Sequence, residues 1–172
     1  VEQPIIDLLP LLRKDPNITV AVKDRSGMAG QLRLNHLQPP FSNPAIRRVV
    51  LKAINQEDCM NAVCGGDPEV ERGSIGFFPS NSAMASEVGI AALKAPKDFG
   101  KLKQELEAAG YKGERVVFLA GQDVPRIALA AEVAADALRK IGLNVDFVAA
   151  DWGTVLQRIS NRSPVEQGGW SC

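Results

Sequence analysis

The sequence predicts an α/β domain with a mixed or mostly parallel sheet flanked by helices, on three observations. Residues 115–120 (R-V-V-F-L-A) read as a buried strand, apolar at every position after Arg115, and 143–149 alternate apolar and polar residues as the next strand. Between them lies the longest helical pattern, 124–141, closed by Gly142. Strand, helix and strand in that order make a βαβ unit, which requires parallel strands and a right-handed crossover.

Upstream, residues 5–12 are apolar and short, a helix ending near Pro16, because proline disfavours helix at the residue before it. Residues 17–23 (N-I-T-V-A-V-K) and 31–35 (Q-L-R-L-N) alternate, and each is predicted to be a strand. Asn43 is placed to cap a helix whose first residue is Pro44, a position where the missing amide costs nothing. Ile46, Val49, Val50, Ala53 and Ile54 recur on its inner face, opposite Arg47, Arg48 and Lys52. Asn55 opens a second short helix, ended by Gly65-Gly66. Residues 65–97 read as a long irregular segment, of the kind that is functional or covers something. An amphipathic helix follows over 98–109, with Phe99, Leu102 and Leu106 inward and Gly110 as its stop. Asp123 is predicted to cap the long helix and Asp151 a last helix from Trp152 to about residue 160. Residues 168–172 look like an entering strand. The whole of 1–172 is read as one domain.

Composition removes several functions. The 172 residues carry 20 Lys+Arg and 20 Asp+Glu, a net charge of zero, where a nucleic-acid binder would show a basic excess. No apolar run approaches the ~18 residues of a membrane span. The single histidine, His36, excludes multi-histidine metal sites and leaves nucleophilic catalysis one possible imidazole. Of the three cysteines, Cys59 and Cys64 on one helix would stand ~7.5 Å apart in rise and ~140° in rotation, beyond disulfide reach. Both are read as packing residues. Neither a GxxxxGK[ST] nor a GxGxxG phosphate loop is present, and the 120–125 turn carries Asp123 where an anion would sit. No cofactor is predicted. The chain starts at Val1 with no visible targeting signal, and both ends look like those of a piece cut from something longer.

Two tryptophans stand out. Trp152 follows a strand end, where ligands collect in parallel sheets. Trp170 follows Gly168 and Gly169, which would let a ligand approach the backbone. Core packing is the simpler reading of each ring on pattern alone.

A resemblance changes that balance. The stretch LRLNHLQPPFSNPAIRRVVLKAIN over 32–55 resembles a signature of the dipeptide/oligopeptide/nickel-type extracellular solute-binding proteins of ABC transporters (family 5). The L-E-A-A-G-Y of 106–111, the Q-D-V-P of 122–125 and the D-W-G-T-V-L-Q-R of 151–158 are similar to further family motifs, in the family's order. Val49 and Asn55 depart from the usual small residue and Asp, and Asn caps a helix about as well as Asp.

The resemblance implies a receptor, not an enzyme, with this chain as the second lobe of a two-lobed, type II periplasmic binding protein. The first lobe is then missing. A peptide or similar small polar solute would sit between lobes that close about a hinge, and the closed form would deliver it to permease subunits in the membrane. The protein itself would be periplasmic, or extracellular and lipid-anchored. The resemblance places Trp152, Leu156 and Trp170, with Gly169 beside it, at the ligand cleft. An Asp that holds the peptide's amino terminus in relatives would lie beyond Cys172. Other ligands (glutathione, an opine-like compound, an oligosaccharide, a chelated metal) stay open. So do a small α/β enzyme using His36 and a pure interaction module. No nucleic acid and no membrane insertion are expected.

Overall fold

The computed structural model describes residues 5–24, 27, 29–67, 69–70 and 75–172. A 3-10 turn at Ile6–Leu8 leads into α1 (Leu9–Leu12), followed by α2 (Pro44–Ala53), α3 (Gln56–Cys64), α4 (Ile90–Lys94) and α5 (Phe99–Ala108). Then come β1 (Arg115–Gly121), α6 (Pro125–Lys140), β2 (Asn144–Ala150), α7 (Trp152–Arg158) and a 3-10 turn at Val165–Gln167.

β1 and β2 pair in parallel, in register from Arg115 opposite Asn144 to Gly121 opposite Ala150. β1 is the axis of the domain, since every residue after Arg115 is buried. Successive strand side chains point to opposite faces. Val116, Phe118 and Ala120 therefore enter one core with Phe41, Ile46, Val50, Leu106, Leu138 and Ile141, drawn from α2, α5, α6 and the segments beside them. Val117 and Leu119 enter a second, smaller core with Val155 and Trp170. β1 is thus covered on both faces, as the inner strand of a parallel sheet is, whereas β2 is at most partly buried along its length.

The free edge of β1 is occupied by the chain's last residues. Cys172 donates to Val117 O and accepts from Leu119 N, the alternation of a parallel pair, and Val117 N donates to the buried Ser171 Oγ. Asn35 continues the row: its N–H donates to Ser171 O and its Nδ2 to Trp170 O. The predicted entering strand at 168–172 is in this sense present, as an extended segment hydrogen-bonded to β1.

The local stop and start signals operate as read. Asn43 Oδ1 accepts from Ala45 N, Asn55 Oδ1 from Glu57 N, and Asp98 Oδ1 from Lys101 N. Gly65 takes the left-handed conformation that closes α3. Cys64 and Cys172 are buried, and burial pushes the Cys59 thiol up from its ordinary value. Burial raises the Cys172 thiol as well, which keeps Cys59 and Cys172 protonated at neutral pH.

Four expectations are corrected. Residues 17–23 form no strand: all but Val20 are exposed, so their alternation has no buried face to serve. Residues 31–35 are extended but are not a strand, because only Asn35 bonds a neighbouring segment through its backbone. The segment 65–97, whose residues 68 and 71–74 lie outside the described ones, contains α4, anchored by the buried Ile90. Finally, Asp123 does not cap α6. The residue before that helix is Val124, with no side-chain cap, and the carboxylate of Asp123 reaches elsewhere.

Candidate functional site

The carboxyl ends of β1 and β2 and the amino end of α7 meet at one surface. Parallel α/β sheets place ligands at this edge because strand ends and helix starts leave polar backbone and adaptable turns there. Gln122 N donates to Ala150 O at 2.9 Å, carrying the β1–β2 ladder one step past the strands. Asp151 is the cap of α7: its carboxylate accepts Thr154 N at 2.9 Å and the Thr154 hydroxyl at 2.6 Å. Those two hydrogen bonds, hydroxyl first, hold the Asp151 carboxyl below the usual carboxylate value. A second carboxylate serves the same helix end, Asp123 Oδ1 accepting Trp152 N at 2.8 Å.

α7 turns two faces to different environments. Val155 is buried in the second core, whereas Trp152 is 37% exposed and Leu156 46% exposed. Residues four apart stand one above the other on a helix, so this indole and this isobutyl group form one apolar stripe open to solvent. The indole rests on the end of β1. A Cβ added to Gly121 would lie 2.9 Å from Trp152 Cε3, so the strand backbone and the ring are in close approach.

Trp170 is placed differently. Its ring is 5% exposed, packs with Val117, Leu119 and Val155, donates Nε1–H to Ile159 O at 3.1 Å and lies under the Arg33 guanidinium at 5.6 Å. At Gly169 the close approach is made by the chain itself: an added Cβ would meet Ser163 O at 2.0 Å and Pro164 O at 2.8 Å. Arg158 Nη2 donates to Gly169 O at 3.2 Å, tying this segment to the last turn of α7. The four residues singled out in the sequence therefore converge on α7. Trp152 and Leu156 lie on its outer face, and Gly169 and Trp170 lie on its inner side.

Gly121 and Asp123 belong to this site and were missed. The only sequence signal available was their position in a strand-to-helix turn, and Asp123 there reads as an ordinary cap. His36 is exposed in a turn. Among the described residues no group of three or more His, Cys, Asp or Glu is arranged to hold a metal ion, and no helix is long and apolar enough to cross a membrane. A groove of about 250 Å3, lined by Gln38, Pro39, Glu114, Arg115, Val165 and Glu166, opens at the other, amino end of β1, away from the exposed indole.

The fold is the α/β fold of the type II periplasmic binding proteins, the class of its solved structural neighbours. The family described as bacterial extracellular solute-binding proteins, family 5, middle region, matches residues 1–171, and the chain belongs to that family. It is 36% identical over 169 residues to the "Probable peptide ABC transporter periplasmic-binding protein y4tO" of Sinorhizobium fredii, a match covering 98% of this chain and 32% of the relative. Among solved structures, the periplasmic binding protein DppA of Helicobacter pylori, in complex with the peptide STSA, matches with a TM-score of 0.63 at 26% identity. That match covers 91% of this chain and 29% of the other. The dipeptide binding protein of Pseudoalteromonas sp. SM9913, in complex with Met-Leu, matches with a TM-score of 0.58 at 26% identity, covering 89% and 30%. The chain thus spans about a third of the length of the relatives it matches.

Proposed function

We propose that this chain is one lobe of a longer, two-lobed solute-binding protein, and that the outer face of α7 is one wall of its ligand cleft. The observation that carries this reading is the stripe of Trp152 and Leu156, left open to solvent on one helix face at the carboxyl end of the parallel β1–β2 pair. A ligand side chain laid against an indole gains a large, rigid apolar contact at little entropic cost. A single wall leaves the other side of that ligand in water, and closure of a second lobe over it supplies the missing desolvation.

Peptides are the proposed ligands, supported by the peptide-binding names of the relatives and by the peptides bound in the two solved neighbours. Gly169 and Trp170 take part from behind, as the packing that holds α7 in place, while Trp152 and Leu156 touch the ligand. The complete protein acts as a receptor rather than an enzyme, in the periplasm or tethered outside the cell, and hands its ligand to a membrane permease.

Calorimetric titration of the complete protein with di-, tri- and tetrapeptides tests the ligand class. Saturable binding at micromolar or tighter concentration is expected, with the 172-residue chain alone binding in the millimolar range or not at all. No heat with any peptide, together with binding of glutathione, an opine-like compound or an oligosaccharide, would reassign the ligand.

A further inference from the structure

We infer that Gly121 and Asp123 are positioning residues for the Trp152 indole: the bare strand end admits the ring, and the Asp123 carboxylate holds the backbone that carries it. Gly121 is the last residue of β1, and its φ lies outside the left-handed range that would by itself call for glycine. What a side chain there would meet is the indole, with Trp152 Cε3 at 2.9 Å, Cζ3 at 3.7 Å and Trp152 Cα at 3.8 Å from the added Cβ. Contact at 2.9 Å is closer than a carbon pair tolerates, so any side chain at this position forces the ring to move.

Asp123 acts on the same residue from the other side of the turn. A carboxylate just ahead of a helix ordinarily accepts that helix's own free amides. Here α6 begins with Pro125, which has no amide hydrogen, and the amides of Ile127 and Ala128 both donate to Val124 O, with no side-chain cap at this helix end. Asp123 Oδ1 instead crosses 29 positions of sequence to accept Trp152 N at 2.8 Å. Trp152 is the first residue of α7, and Asp151 already occupies the cap with Thr154. The two carboxylates are therefore not redundant. Asp151 organises the helix turn, and Asp123 fixes where that turn sits relative to the end of β1. A site held within about half an ångström by supporting contacts binds better than one whose side chain wanders.

The placement of the ring stands on this geometry alone, and its consequence for affinity rests on the ligand wall proposed above. The test labels the complete protein with 5-fluorotryptophan and identifies the Trp152 fluorine resonance by its loss in Trp152→Phe. Gly121→Ala should shift that resonance, leave the Trp170 resonance in place, lower Tm by no more than a few degrees and weaken peptide binding about tenfold. Asp123→Ala should also shift it, and Asp123→Asn, which keeps an acceptor oxygen at that atom, should return it to the wild-type position. A shift with peptide affinity unchanged would uphold the positioning role and remove Trp152 from the ligand wall. A Trp152 resonance that stays put in both Gly121→Ala and Asp123→Ala, whatever happens to Tm, overturns the inference.

Discussion

Trp152 and Trp170 sit at the two ends of α7 and meet opposite environments. Trp170 is sealed in the second core, its indole N–H satisfied by Ile159 O and its ring flanked by Val117, Leu119 and Val155. Trp152 stands on the bare end of β1 with more than a third of its surface in water, one helical turn from an equally open leucine. A protein loses free energy by leaving such apolar area exposed, at roughly 25 cal/mol per Å2. The difference teaches that burial commits one indole to the fold and leaves the other open to solvent, free for the ligand contact proposed for it. Substitutions should separate these roles.

The sharpest separation is in stability. Trp170→Ala removes a fully packed ring and should cost about 3–5 kcal/mol of unfolding free energy in denaturant titration, the range for large aromatic truncations in cores. A loss below about 1 kcal/mol would put that ring outside the core and dissolve the contrast. Gly169→Ala comes next. Its methyl group would have to displace the backbone at Ser163 and Pro164, at a cost of about 1–3 kcal/mol, and Trp170 fluorescence should change with it. Wild-type stability would show that the 163–164 turn yields freely.

Smaller again is the cap of α7. Asp151→Ala should lower stability measurably at neutral pH. Because the folded-state pKa of Asp151 lies below the unfolded one, the cap's contribution is complete above the ordinary value of 3.8 and is lost as pH falls through the lowered folded value. The gap between wild type and Asp151→Ala should therefore close in acid, and a gap independent of pH would assign it to something other than the carboxylate. Smallest of all, Trp152→Ala should leave unfolding free energy within about 1 kcal/mol of wild type, since half-open surface positions contribute little.

How much of this was legible in the sequence follows from how local each signal is. The Asn43-Pro44 start, the Asn55 and Asp151 caps and the glycine stops act within one helical turn, and all operate where they were read. The βαβ unit was legible because the apolar run of β1 and the length of α6 leave few alternatives. The strands predicted at 17–23 and 31–35 failed because alternation reports a face and pairing needs a partner. Only Asn35 finds one, in Ser171, 136 positions away.

The site was half legible. Trp152 and Trp170 carry similar local signals, and burial alone distinguishes them. Gly121 and Asp123 acquire meaning only when β1 and α7 are brought together. The glycines before Trp170 misled in an instructive way, since the backbone approach that Gly169 permits is made by Ser163 and Pro164 rather than reserved for a ligand.

The central claim is that the open indole on α7 is a ligand surface, and calorimetric affinity of Trp152→Ala in the complete protein tests it most directly. For a peptide that the wild type binds, affinity should fall about thirtyfold, the equivalent of roughly 2 kcal/mol, with Tm unchanged. An affinity within twofold of wild type at unchanged Tm would contradict the claim.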